Sequence, residues 1–445
     1  MVFASFMSNL DSISSDFLFF NLIGPPNSKS MKKFNLKTVL LTLISIPLIF
    51  ISCKKEPAVT LPVDPVPIDL TANQVSLISS ENSFALDIFK KVIENSSQTE
   101  NIIISPLSIS SALSMTLNGA NGATRDVMLD ALRLKGLTPD IINNSYKDLT
   151  GALLNIDKRV LISIANSIWA ENNFAVKKSF TDILTQFYDA ESKSFDITDP
   201  LVPKQVNSWI ESKTNGLIKN MVDQLDPNTV MLLINAIYFK GKWQSQFDKE
   251  KTSLGSFYKP GGVTAQVQMM KQTSKFKSYK GEGFTLAEFP YGQGNFVMDV
   301  ILPDDNNGIN NILPLINNIS LKGWLNQMSE RKTDLTFPRF KYGYKKELKA
   351  ILSDMGMGIA FTDNADFSNI SAIGLLISFV LHQAFIETNE EGTEAAAATI
   401  VGIGTTSAPV DPFILNVDHS FLYIIRETTT NSMLFMGRVN DPLAE

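Results

Sequence analysis

The sequence predicts an α+β fold, and three observations carry that prediction. Segments with near-helical apolar spacing sit early in the chain, long β-branched and aromatic runs fill the later part, and no internal repeat interrupts either. The 445 residues are 44% hydrophobic, 9% aromatic and 19% charged, which is ample apolar material for a large core. A formal net charge of -6, with no clustered Lys/Arg stripe, excludes a nucleic-acid footprint, because phosphate binding needs cations gathered on one face.

The elements follow in order. "MKKFNLKTVLLTLISIPLIFIS" begins with Lys32, Lys33 and Lys37, runs apolar from Val39 to Ile51, and ends at Ser52 before Cys53, the single cysteine. Its apolar run of roughly 13 residues falls short of the ~20 that a spanning helix needs, so 31–52 reads as a bacterial lipoprotein signal peptide with Cys53 as the lipidated residue. Residues 1–30 read as an upstream extension, with Met31 as the start. One cysteine allows neither an internal disulfide nor a thiolate metal site. Residues 53–73, with Pro57, Pro62, Pro65 and Pro67, read as a stiff tether holding the folded domain, 74–445, off a membrane surface outside the cytoplasm.

Within the domain, "SLISSENSFALDIFKKVIENS" spaces Phe84, Ile88 and Val92 as a helix does, and "SPLSISSALSMTLNGA" gives a second helix opening at Pro106. Thr229 to Trp243 and Gly374 to Gly392 read as strands buried on both faces. "FVMDVILPDD", "KTDLTFPRFKYGY", "PFILNVDHSFLYIIRE" and "NSMLFMGRVNDP" read as further, mostly antiparallel strands, and "LKAILSDMGM" as a helix.

Catalytic chemistry is thin. The chain has two histidines, His382 and His419, and a Ser-His-Asp triad needs only one of them. No G-x-S-x-G, H-E-x-x-H, P-loop or dinucleotide fingerprint is present, and Gly402 and Gly404 open no helix. The residues point to no enzyme, no cofactor and no metal. They leave unexplained the stretch "EEGTEAAAATIVGIGTTSAP", Glu390 to Pro409, which is small, uncharged and suited neither to a core nor to a capped helix.

"NEEGTEAAAAT" (Asn389 to Thr399) resembles the reactive-loop hinge of the serpin family. "NIIISPLSISSALSMTLNGANGAT", "VNSWIESKTNGLIKNMV", "NAIYFKGKWQSQF", "FPRFKYGYKKELKAILSDMGMGIAFTDNADFS", "LNVDHSFLYIIRE" and "LFMGRVNDP" resemble further family segments, in the family's order. The resemblance spans about Gln74 to Pro442. It implies helices packed with a large mixed sheet A, smaller sheets B and C, and an exposed reactive-centre loop at about 390–412. It also implies a suicide-substrate inhibitor of serine proteases, with cysteine proteases as a second target class, acting as a monomer. The loop is cut, the protease is trapped as an acyl-enzyme, and the loop inserts into sheet A as a new strand.

The resemblance also implies roles for residues. The hinge is Glu390, Gly392, Thr393, Glu394, Ala395, Ala396, Ala397 and Ala398. Ser105, Ser108, Asn235 and His382 form the shutter under the sheet centre, and Trp243, Arg339 and Glu390 form the breach at its top. The family's count from Glu390 places the reactive bond at Thr406–Ser407, which suits elastase-like or subtilisin-like enzymes and not trypsin-like ones. An entering strand must bury alternate side chains. From Thr393 one face carries Thr393, Ala395, Ala397, Thr399 and Val401, all small and uncharged; Glu394 falls on the other. Gly392 frees the pivot, and no proline follows it before Pro409. A non-inhibitory serpin and a surface-binding lipoprotein of another class are the alternatives.

Overall fold

Two sheets and the helices packed on them make up the computed structural model, which describes residues 64–306, 308–393 and 411–444. All of these belong to one unit, Leu61–Glu445. The helices are α1 (Ala72–Glu94), α2 (Pro106–Leu117), α3 (Gly122–Ala131), α4 (Pro139–Asn155), α5 (Lys178–Tyr188), α6 (Val202–Lys213) and, later, α7 (Asn318–Asn326). Thr71 caps α1 in a reciprocal box with Gln74, so the domain's first helix starts slightly ahead of the expected boundary. Ser105 caps α2, and Pro106 sits at its first turn, where no N–H is needed.

The strands in chain order are β1 (Ile102–Ile104), β2 (Val160–Glu171), β3 (Ala190–Phe195), β4 (Met231–Lys242), β5 (Ser253–Lys259), β6 (Val263–Gly281), β7 (Phe284–Tyr291) and β8 (Phe296–Pro303). They continue with β9 (Ser329–Pro338), β10 (Phe340–Glu347), β11 (Leu381–Asn389), β12 (Gly392–Thr393), β13 (Phe413–Asn416), β14 (Phe421–Glu427) and β15 (Met433–Val439). A six-stranded sheet runs β10-β11-β12-β4-β2-β3, and a nine-stranded sheet runs β1-β15-β14-β8-β7-β6-β9-β13 with β5 beside β6. The two smaller sheets implied by the resemblance are continuous here through the long β6. Pairing is antiparallel except for β2 with β3 and β9 with β13.

β4 is buried on both faces as expected. Leu232, Ile234 and Ala236 pack with Val206, Trp209 and Ile210 of α6, while Ile237 and Phe239 join the main core on the other side. Three expectations need correction. Gly374–Gly392 is not one strand: only Leu381–Asn389 and Gly392–Thr393 pair. The segment before Leu381 spends its hydrogen bonds elsewhere, Ile377 N–H on the Ala360 carbonyl and the Val380 carbonyl on Leu348 N–H. "KTDLTFPRFKYGY" is two strands in different sheets, parted at Arg339. "LKAILSDMGM" is helical but not one regular α-helix: Lys349–Leu352 is α-helical, and Ser353–Met357 continues as a π-helical turn kinked at Gly356, whose φ is 105°.

Candidate functional site

The segment that the resemblance assigns as the hinge begins inside the sheet, at Gly392–Thr393. β12 is only Gly392 and Thr393, yet it pairs with β11 on one side (Thr388 with Thr393) and β4 on the other (Gly241 with Thr393). Among the described residues β4 and β11 are joined through β12 alone. Glu390, Glu391 and Thr393 are buried, so the start of the hinge is not exposed to solvent as its sequence suggests.

The backbone requires glycine at 392. Its φ is +148°, and a Cβ there would sit 2.1 Å from the Gly241 carbonyl oxygen. Gly241 in turn lies against the ring of Tyr291, 2.9 Å from where its own Cβ would be. Sequence reasoning passed over Gly241, although a glycine inside a β pattern signals close backbone approach.

Trp243, Arg339 and Glu390 come together at this entrance. Trp243 donates its N–H to the Glu391 carbonyl at 2.8 Å and its indole Nε1–H to the Asn389 carbonyl at 2.9 Å. Phe247 N–H bonds the Glu390 carbonyl at 2.9 Å. The Glu390 carboxylate accepts from Arg339 Nε at 2.7 Å, from its Nη2, and from the Thr252 hydroxyl. Glu391 pairs with Lys249. Tyr291, which nothing in the sequence marks, stacks on Trp243 with ring centroids 4.4 Å apart and reaches the Thr393 hydroxyl at 2.7 Å.

Ser105, Ser108, Asn235 and His382 meet under the sheet centre. Ser105 N–H donates to His382 Nε2 at 3.0 Å, which requires an unprotonated nitrogen there. The Ser105 hydroxyl donates to the Leu434 carbonyl at 2.7 Å and accepts from Ser108 N–H at 3.2 Å. The Ser108 hydroxyl donates to Asn235 Oδ1, and Asn235 Nδ2 donates to Asn166 Oδ1 at 2.6 Å, adding β2 to the cluster. Burial holds His382 down at about 4. His419 lies elsewhere, its ring nitrogens on the Asp418 carboxylate and the Pro303 carbonyl. Among the described residues neither imidazole bonds a serine hydroxyl, so no triad is assembled.

Below this cluster a cavity of about 580 Å3 separates Met231–Asn235 of β4 from the segment 373–382, floored by Ile109, Leu113 and Thr116 of α2. Cys53, Glu394, Ala395, Ala396, Ala397, Ala398, Thr406 and Ser407 lie outside the described residues.

An α+β domain whose central sheet already takes a short extra strand, Gly392–Thr393, between two long ones defines a class of strand-accepting folds. The family model described as Serpin (serine protease inhibitor) matches residues 79–442. Human Serpin B3 is 33% identical over 391 residues, covering 82% of this chain and 100% of the relative. Human thyroxine-binding globulin in complex with thyroxine superposes with a TM-score of 0.77 at 28% identity, covering 84% of this chain and 100% of that one. The thermophilic serpin Tengpin in its native state gives 0.76 at 30% identity, covering 86% and 97%. The chain belongs to the serpin family, whose members are generally protease inhibitors.

Proposed function

We propose that this serpin inhibits serine proteases as a suicide substrate, cut at Thr406–Ser407 by an elastase-like or subtilisin-like enzyme. The observation that carries the reading is β12: the hinge enters between β4 and β11, which are joined only there among the described residues. Continued in the same register, the ladder would set Ala395 beside Phe239 and Ile386, Ala397 beside Ile237 and Ala384, and Thr399 beside Asn235 and His382. Every side chain on that buried face is small and uncharged. Beyond Thr399 the strand would enter the cavity under the sheet centre.

Mixing the protein with a pancreatic-type elastase should give an SDS-resistant complex and a released peptide beginning at Ser407. Thr393→Arg, which asks the sheet to bury a charge at a cost of several kcal/mol, should turn the inhibitor into a substrate. Cleavage at the loop with no complex in the wild-type protein favours a non-inhibitory role instead. The signal-like run before Cys53 and the proline-rich tether support a lipid anchor on Cys53. Cys53→Ser made in the native host should lose lipid labelling, and retained labelling rejects the anchor.

A further inference from the structure

Ahead of α1 an extended strap, Asp64 to Leu70, lies on the domain and is held through its backbone. Pro65 and Pro67 have no N–H, so Val66 supplies the only backbone donor between Asp64 and Ile68, and the following proline favours an extended Val66. The Asn295 carboxamide takes both of its polar groups: Oδ1 accepts the Val66 N–H at 2.8 Å, and Nδ2 donates to the Val66 carbonyl at 2.6 Å. Val66 is 39% exposed, so the hold on it is through its backbone.

Asn295 is a built receptor. It is fully buried, and its remaining capacity goes to Gln293 Nε2 at 2.9 Å and Glu427 Oε1 at 3.3 Å. Glu427, also fully buried, accepts from the N–H groups of Thr429 and Thr430 and from the Thr430 hydroxyl. Such a network is costly to leave half-satisfied, so the Val66 backbone completes it.

The receptor sits in the β7–β8 turn, which supports the hinge. Gly292 N–H donates to the Lys242 carbonyl at 2.8 Å, and Gln244 N–H to the Pro290 carbonyl at 2.8 Å. Tyr291 holds Thr393, and Lys242 pairs with Gly392. Gly294, at φ +98°, lets Pro65 pass close: a Cβ there would lie 3.2 Å from Pro65 Cγ.

We infer that the strap is a seated part of the hinge support: Val66, docked on Asn295, steadies the turn that holds Tyr291 and Lys242 against Gly392 and Thr393. The upstream tether leads directly into this seat, so a cut or displacement at residue 66 reaches the entrance of the sheet. Its consequence for protease trapping rests on the inhibitor reading; the hold on the hinge does not.

Hydrogen exchange of the intact full chain tests it without a protease. Val66→Pro removes the donor, and Val66→Ala keeps both backbone bonds. Amides of Tyr291–Asn295 and Glu391–Thr393 should exchange about fivefold faster in Val66→Pro, the share of one buried hydrogen bond, and at the wild-type rate in Val66→Ala. A chain starting at Pro67 should behave as Val66→Pro does. Unchanged exchange at Glu391–Thr393 in either of these, or equal acceleration in Val66→Ala, overturns the inference. Accelerated exchange in a protein that forms no elastase complex would leave the strap standing and remove the inhibitor reading.

Discussion

Arg339 Nε donates to Glu390 Oε1 at 2.7 Å, tying the point where the chain crosses between the two sheets to the first residue of the hinge. Glu390 is 2% exposed, whereas the Arg339 side chain is 42% exposed, so the pair is dry at one end only. Burial raises the Glu390 carboxyl, but the bonds from Arg339 and Thr252 together outweigh it and leave it below its ordinary value.

Arg339→Ala should therefore loosen this entrance by about 1 kcal/mol at neutral pH, less than a fully buried charged hydrogen bond contributes because Arg339 is partly solvated. The folded carboxyl titrates below the unfolded one. The pair's contribution is then complete above about pH 4.3 and is lost as pH falls through the lower folded value. Melting of wild type and Arg339→Ala should differ at pH 7 and converge in acid; a constant difference across that range rejects the ion-pair account.

Gly392→Ala should expel β12. A methyl 2.1 Å from the Gly241 carbonyl oxygen cannot be accommodated, and the φ of +148° adds strain on the order of 1–3 kcal/mol. The rest of the sheet should hold, so circular dichroism stays native while Thr393 loses exchange protection. A protected Thr393 in the alanine variant contradicts the observed packing.

Cleavage at Thr406 should raise the melting temperature strongly. With Gly392 and Thr393 already paired, about thirteen further residues remain to insert, on the order of 40 Å of strand at ~3.3 Å each. Each new ladder bond contributes ~0.5–1.5 kcal/mol net, and Ala395, Ala397 and Val401 add buried apolar area at roughly 25 cal/mol per Å2. The nicked and intact proteins are compared by calorimetry after the new terminus is sequenced. A cut at Ser407 with no upward shift rejects insertion.

The shutter should weaken in mild acid. His382 is neutral while its Nε2 accepts the Ser105 N–H, and burial lowers it to about 4. Its contribution is full above the unfolded value near 6.5 and is lost as pH falls from there towards the folded value, by roughly 3 kcal/mol in all. Glu81, raised to about 7 by burial, slopes the opposite way, so the difference between wild type and His382→Gln isolates the histidine. That difference should shrink between pH 6.5 and 4; a pH-independent gap rejects the assignment.

Local chemistry made much of this protein legible before any pairing was known. Ser105 before Pro106 is a helix start because a hydroxyl can satisfy a free N–H where proline needs none. Thr229 to Trp243 reads as a doubly buried strand because both alternating faces are apolar, and the strand found there runs Met231–Lys242. The small residues after Gly392 suit a strand that can be buried. The rest depends on contacts between distant parts of the chain, which no local pattern encodes. That one β-rich run divides between two sheets at Arg339, and that the backbone around Ile377 bonds Ala360 instead of a strand, follow from which partners the folded chain brings near. Tyr291 becomes a hinge residue only because the β7 end packs on Trp243, and Val66 becomes a seat only because Asn295 is carried to it. The burial of Glu390 to Thr393 has the same origin: the Gly241 carbonyl and the Arg339 guanidinium meet at one place only after both sheets have formed.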